Sequence, residues 1–208
     1  MKLETIVVGA FGVNCYVVWQ PPGRAALVVD PGADPDRIEE TLRSQGLEVA
    51  AYLVTHGHVD HVSALAALCQ ARPAPVEMHP ADAAWAFGPD NQVPPFYPPP
   101  RSPGPIAWPA EEGMEYGPAD LRHRVLATPG HSVGSVCFFL EAHGLLFTGD
   151  TLFEGTVGRT DLPGGDEAIL RRSLVRLAAL PAATRVFPGH GEATTLARER
   201  AHNPFLAG

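Results

Sequence analysis

The sequence is short of the residues that would make it a secreted scaffold, a membrane protein or a nucleic-acid binder. Its only cysteines are Cys15, Cys69 and Cys137. They are odd in number, far apart and form no CxxC pair, so neither a disulfide framework nor a thiolate zinc knuckle is available, and buried reduced thiols are expected. Lysine occurs once, at Lys2, and the longest basic cluster is Arg171-Arg172 in a chain of formal net charge -8. No phosphate-tracking stripe can be built from that, and no nucleic-acid partner is expected. There is no run of about eighteen apolar residues, the length a spanning helix needs. The opening MKLETIVVGAFGVNCYVV is interrupted by Gly9 and Gly12 and holds no apolar h-region, so the chain reads as soluble and cytoplasmic, with no membrane partner. Asparagine is confined to Asn14, Asn91 and Asn203 beside 22 prolines, a balance that fits either a heat-adapted protein or a biased base composition. A GxSxG elbow, a phosphate-binding glycine loop and a dinucleotide fingerprint are all missing, which excludes serine hydrolases, kinases and nicotinamide enzymes.

What is present suits one globular domain spanning residues 1–208: hydrophobic residues make up 45% and charged residues 18%, and the length is enough to bury a substantial core. Apolar runs rich in β-branched and aromatic residues predict strands at 3–8, 13–19, 26–30, 51–54, 124–127, 135–140, 145–148 and 185–187. Helical patterns lie at 34–45, 62–71, 166–178 (opening on Asp166) and 193–200. The segment 89–109 stands apart, with nine prolines together with Phe96, Tyr97 and Trp108. It can be neither a helix nor a central strand. Two readings stay open for it: an extended excursion over the surface, or a semi-rigid flap whose aromatics cover the substrate.

The chemistry gathers in Thr55-His56-Gly57-His58-Val59-Asp60-His61, placed between an apolar run ending at Val54 and a helix starting near Val62. His56 and His58, two apart in extended backbone, project to one side, while Asp60 and His61 can point elsewhere as the chain turns. Three further residues sit at the ends of apolar runs beside glycine: Pro129-Gly130-His131, Thr148-Gly149-Asp150 and Pro188-Gly189-His190. This is the donor set of a binuclear hydrolytic site for two divalent ions, with zinc first and iron or manganese as alternatives. A carboxylate can bridge two ions, so Asp150 is assigned as the bridge. His56, His58 and His131 then complete one metal, and Asp60, His61 and His190 the other, with Asp60 also able to orient a nucleophilic water. His79, His123, His143 and His202 fall outside the pattern and are expected to be ordinary hydrogen-bonded histidines. Asp30, closing the run Leu27-Val28-Val29, is either a residue that orients the histidine loop or a turn former.

In VVDPG, THGHVDH, TPGHSVGS, FTGDTLF and FPGHG, taken in that order, the chain resembles the metallo-β-lactamase superfamily over nearly its whole length. The resemblance implies an α+β fold, an αββα sandwich of two mixed sheets flanked by helices, with the metals at one sheet edge. GDTLFEGTVGRTDLPGGD and PGHGEATTLARERAHNPFL are most similar to the single-domain glyoxalase II group, the hydroxyacylglutathione hydrolases. That implies a small-molecule thioester substrate, S-D-lactoylglutathione or a related acyl thioester. Arg159, in GRTD, is expected either to clamp a substrate carboxylate or to pair with Asp161 and shape the loop. The rival family is the persulfide dioxygenases, similar across THxHxDH and GRTD, which would place one iron on His56, His131 and Asp150; Pro188-Gly189-His190-Gly191 is more hydrolase-like. Lactone and phosphodiester hydrolysis follow further behind, and Asp150 stands where zinc β-lactamases commonly present a cysteine, which argues against antibiotic hydrolysis. A metal-stabilised binding module is the non-enzymatic reading, and a complete ligand set weighs against it.

Overall fold

A computed structural model describes residues 1–108, 113 and 115–206. The chain opens as an antiparallel hairpin of β1 (Lys2–Val8) and β2 (Val13–Trp19), paired from Lys2↔Trp19 to Val8↔Val13. β3 (Ala25–Val29) adds antiparallel to β2, after which α1 (Pro35–Ser44) carries the chain back to β4 (Glu48–Leu53), parallel to β3. Two short helices, α2 (Val59–Val62) and α3 (Leu65–Ala71), lead to β5 (Val76–Glu77). A third, α4 (Pro80–Ala86), and the proline-rich segment lead to β6 (Ile106–Ala107) at the sheet's edge.

The second half begins with β7 (Glu115–Tyr116), β8 (His123–Ala127), β9 (Val136–Leu140) and β10 (Leu145–Gly149). A two-stranded ribbon of β11 (Leu152–Phe153) and β12 (Thr156–Val157) precedes α5 (Glu167–Ala178), and β13 (Arg185–Pro188), β14 (Thr194–Thr195) and α6 (Leu196–His202) complete the chain. The sheets run β1-β2-β3-β4-β5-β6 and β14-β13-β10-β9-β8-β7, each with parallel and antiparallel neighbours.

Strand alternation sorts the apolar side chains into three layers. Tyr16, Val18, Leu27 and Leu53 of the first sheet meet Phe138, Leu140, Phe147 and Phe187 of the second between the sheets. The opposite faces take the helices: Val17, Val28 and Tyr52 lie against Ile38, Leu42 and Leu65, and Cys137, Phe139 and Leu146 against Leu170, Leu174 and Leu177. The order of layers is therefore helix, sheet, sheet, helix, as the resemblance implies. Strands covered on both faces read as continuous apolar runs, which is why they were visible in the sequence.

Several boundaries differ from the expectation. The helix expected at 62–71 is two helices, and the first begins at Val59, so Asp60 and His61 lie inside a helical turn rather than before it. Ser63 Oγ donates to the Val59 carbonyl at 2.6 Å, a back-bond that competes with the helix ladder where the two helices part. The helix α4 was not anticipated; Pro80 opens it and His79 Nδ1 caps the Ala81 amide at 3.1 Å. Cys15 and Cys137 are buried free thiols, but Cys69 is only half-buried. The proline-rich segment forms no helix and no central strand among its described residues. It contributes the edge strand β6, and Phe96 and Tyr97 pack on Phe11 at ring separations of 5.9 and 5.1 Å; its last residue, Pro109, lies outside the described residues. Among the described residues no helix is long and apolar enough to cross a membrane.

Candidate metal centre

Strands β8, β10 and β13 run in one direction within the second sheet, so the loops that leave their C-terminal ends emerge at one edge. Those loops carry His131, Asp150 and His190, and the loop after β4 brings His56, His58, Asp60 and His61 to the same edge from the first sheet. All seven residues converge. Ligand atoms of His56, His58 and His131 lie within 4.8 Å of one another, as do those of His56, His61 and Asp150 and those of Asp60, His61 and His190. Asp150 stands between the groups: its Oδ2 is 3.6 Å from His131 Nε2 and 3.7 Å from His190 Nε2, and its Oδ1 is 3.4 Å from His61 Nε2. Asp60 Oδ2 lies 3.5 Å from His190 Nε2. Gly189 permits this closeness, because a Cβ there would collide with Asp150 Oδ1 and come within 2.7 Å of His61 Cε1.

A set of ligand atoms should have lone pairs that nothing in the protein uses. His56 Nε2, His61 Nε2 and Asp150 Oδ1 are buried with no hydrogen-bond partner, a costly arrangement in a native interior unless a cation takes them. Several other ring nitrogens are engaged, and His58 Nδ1 lies 2.9 Å from His131 Nε2. His131 Nδ1 faces the Arg159 carbonyl at 2.7 Å, and His190 Nδ1 faces the Phe11 carbonyl at 3.1 Å. Asp30 reaches the histidine loop: Oδ1 accepts from the Thr55 amide at 2.8 Å, and Oδ2 accepts from Thr55 Oγ1 at 2.7 Å and faces His61 Nδ1 at 3.1 Å. Thr55 Oγ1 in turn lies 3.0 Å from His56 Nδ1. These partners direct the free nitrogens at the centre of the cluster. The donor set thus fits divalent metal ions.

The two sides of the cluster titrate in opposite directions. Burial, then the neighbouring imidazoles, hold His56 well below the usual histidine range and His58 down at about 3. Burial also lowers His61, but Asp150, Asp60 and Asp30 outweigh it and bring the group up to about 10. His190 is raised in the same way, burial being overcome by Asp60 and Asp150. Asp60 goes down to about 2, since His61 and His190 overcome the burial that would raise it. His56 and His58 are neutral imidazoles, whereas His61 and His190 pair protons with carboxylates that a metal would displace.

Sequence reading missed the residues that brace this centre. Asp82 on α4 is fully buried and reaches both histidine loops; the only signal was an acid inside the apolar stretch of HPADAAWAF. Asn91 and Trp85 also touch the Gly57 peptide, and Phe11 supplies the carbonyl at His190. Arg159 forms a two-pronged pair with Asp161 at 2.6 and 2.7 Å, both side chains being exposed. His123 is a buried structural group facing Glu77 at 2.9 Å, and His79 is a helix cap.

The fold and this cluster define a metal-binding enzyme class, and the family model described as the metallo-beta-lactamase superfamily matches residues 8–190. The chain belongs to that superfamily. It is 33% identical to the hydroxyacylglutathione hydrolase GloC of Haemophilus influenzae over 99% of this chain and 98% of that one. Among solved structures it resembles the BLEG-1 B3 metallo-beta-lactamase, with a TM-score of 0.92 and 33% identity over the whole of both chains. It also resembles TTHA1623 in a di-iron-bound form, with a TM-score of 0.86 and 40% identity over 98% of this chain and all of that one.

Proposed function

We propose that the protein is a two-metal hydrolase of small acyl thioesters, with S-D-lactoylglutathione or a close relative as substrate. The observation that carries the reading is the convergence of three metal-ready trios on buried atoms, His56 Nε2, His61 Nε2 and Asp150 Oδ1, that have no hydrogen-bond partner. In this reading His56, His58 and His131 hold one ion, Asp60, His61 and His190 the other, and Asp150 serves both. Divalent ions held by these residues would supply Lewis acidity, lowering the pKa of bound water to about 7 and polarising an acyl carbonyl. Asp60, whose Oδ2 lies 3.5 Å from His190 Nε2, would be placed to accept a hydrogen bond from a nucleophilic water and orient it.

The imidazoles and carboxylates of the cluster are all taken up in the trios. A substrate whose leaving group departs without a proton therefore suits the site, and a thiol, with a pKa of about 8.5, leaves as thiolate far more readily than an amine does. The 33% identity to a hydroxyacylglutathione hydrolase supports the same choice. Arg159 is proposed to take a substrate carboxylate by exchanging it for Asp161; the pair is exposed and screened by solvent, so the exchange costs little. Zinc is the first expectation for the ions, with the di-iron form of TTHA1623 supporting iron as the alternative.

Metal content per chain, measured with S-D-lactoylglutathione hydrolysis, oxygen uptake on glutathione persulfide and β-lactam turnover on one preparation, tests the reading. Two ions per chain and thioester hydrolysis without oxygen uptake are expected. One iron with oxygen uptake would replace the hydrolase by a persulfide dioxygenase, and β-lactam turnover without thioester turnover would move the substrate class to that of BLEG-1.

A further inference from the structure

Helix α4 packs beside the centre without contributing any residue to the trios, yet it holds a carboxylate with no exposure to solvent. Asp82 Oδ2 accepts from the Gly57 amide at 2.8 Å and from Ser132 Oγ at 2.6 Å, and Oδ1 accepts from the Gly134 amide at 2.7 Å. Gly57 is the residue between His56 and His58, while Ser132 and Gly134 follow His131. One buried carboxylate thus ties together the two loops that carry the whole all-histidine trio. The clamp has further jaws: Asn91 Nδ2 donates to the Gly57 carbonyl at 2.8 Å and to the Ala86 carbonyl at 2.6 Å, and a Cβ on Gly57 would stand 3.0 Å from the Trp85 ring. Trp85 also lies 5.5 Å from the His58 ring.

The loops come from different sheets, His56 and His58 from the first and His131 from the second. Their relative position is not set by strand pairing within either sheet. Few bonds join them: the Val136 amide donates to the Thr55 carbonyl at 2.8 Å, His58 Nδ1 lies 2.9 Å from His131 Nε2, and Asp82 binds the backbone of both loops. A carboxylate suits the position because it can accept three hydrogen bonds at once, and charge-assisted bonds are the stronger kind. An asparagine offers one acceptor oxygen and turns an NH2 group toward an amide that itself donates.

We infer that Asp82 is a positioning residue that pre-sets the His56, His58 and His131 trio before metal arrives, by fixing the Gly57 peptide against the loop that follows His131. The inference rests on the two-metal reading above. Preorganised ligands lose less order on binding, so the free protein should pay for a missing Asp82 in metal affinity at this trio and not at the Asp60, His61 and His190 trio.

The test is a cobalt titration of metal-free wild type, D82N and S132A, following d–d absorption and cobalt stoichiometry, with circular dichroism as the check on folding. For D82N, cobalt affinity at one of the two sites should weaken by about 10- to 100-fold, the range seen when an outer partner of a ligand is lost, while the other site stays within about 2-fold of the wild type. S132A, which keeps the carboxylate and removes one of its donors, should give a smaller loss at the same site and serves as the measurement if D82N does not fold. A folded D82N, or failing that a folded S132A, with both affinities unchanged would overturn the inference even if its melting temperature had fallen. Wild type that binds no cobalt would instead refute the metal reading itself.

Discussion

Asp30 shows how much one side chain away from the metals can decide. It is 2% exposed and holds a positive φ of 47°, a conformation that asparagine tolerates nearly as well as aspartate. Asp30→Asn should therefore leave the backbone unstrained. It would still turn a donor toward the Thr55 amide or toward Thr55 Oγ1 and His61 Nδ1, breaking the link that sets His61 directly and His56 through Thr55. Metal affinity should fall about 10- to 100-fold, read by competition with a chromophoric chelator, and an unchanged affinity would reduce Asp30 to a turn residue. The titrating groups give a second expectation. His61, raised to about 10, stabilises the metal-free fold below the unfolded value of 6.5, and that contribution is lost as pH climbs toward 10; raised His190 acts in the same sense. Buried neutral His56 and His58 act oppositely, costing stability as pH drops below 6.5, because the unfolded chain takes up protons that they refuse. The melting temperature of chelator-treated protein should thus peak near pH 6.5 and decline on both sides. The metal-bound protein, whose ligands exchange proton for metal, should not show the decline between 6.5 and 10.

At the scale of elements, the packing of the proline-rich segment on Phe11 makes the flap reading testable. Phe96 is 59% exposed while its neighbour Tyr97 is 4% exposed, and both rest on Phe11, whose carbonyl faces His190 Nδ1. If Phe96 acts on substrate as part of a flap, F96A should raise KM several-fold at nearly constant kcat and change stability by no more than about 0.5 kcal/mol, as exposed sites do. Y97A, by contrast, should destabilise by about 3 kcal/mol or more through cavity formation. An unchanged KM in F96A would return the segment to a surface connection. The same contrast explains what could be read in advance. Long strands such as β2 and β9, apolar on both faces, and the capped helix α5, with Asp166 Oδ1 on the Ile169 amide at 2.8 Å, announce themselves through periodicity and caps. The trios were legible because HxHxDH and three glycine-flanked strand ends concentrate rare donors. Two-residue strands such as β5 and β6 are too short for any period, and α4 is about two turns of mostly alanine whose reason to exist is tertiary. Asp82 and Asn91 were hidden for the same cause: their partners are backbone groups of loops 25 to 52 residues away or 34 residues away, and no local pattern encodes that.

For the whole molecule, the arrangement would make bound metals a staple between two sheets. Four of the proposed ligands follow β4 of the first sheet and three follow β8, β10 and β13 of the second, so each proposed ion would draw on both halves of the sandwich. Besides Asp82 and the Val136–Thr55 bond, the protein's own bonds at this edge are specific: Asn14 donates from its amide to the Gly189 carbonyl and from Nδ2 to the Pro188 and Gly191 carbonyls, and Tyr16 Oη donates to the Pro188 carbonyl at 2.6 Å. Elsewhere in the molecule the sheets are joined by the buried His123 and Glu77 pair, which needs no metal. Removing the ions leaves carboxylates and imidazoles crowded together with three unpartnered buried atoms, and forfeits binding energy that exists only in the folded state. At free metal about 1,000 times Kd that linkage is worth about 4.1 kcal/mol for each site, and a domain of this size shifts by about 2–4 °C per kcal/mol. Chelation of zinc-loaded protein should therefore lower the melting temperature by about 10 °C or more. Amide hydrogen exchange should rise along the loops bearing the ligands and around Asn14 while staying slow at β9 and near His123. Full metal loss with an unchanged melting temperature would mean that packing between the sheets alone holds this edge closed, and that the ions serve catalysis without serving the fold.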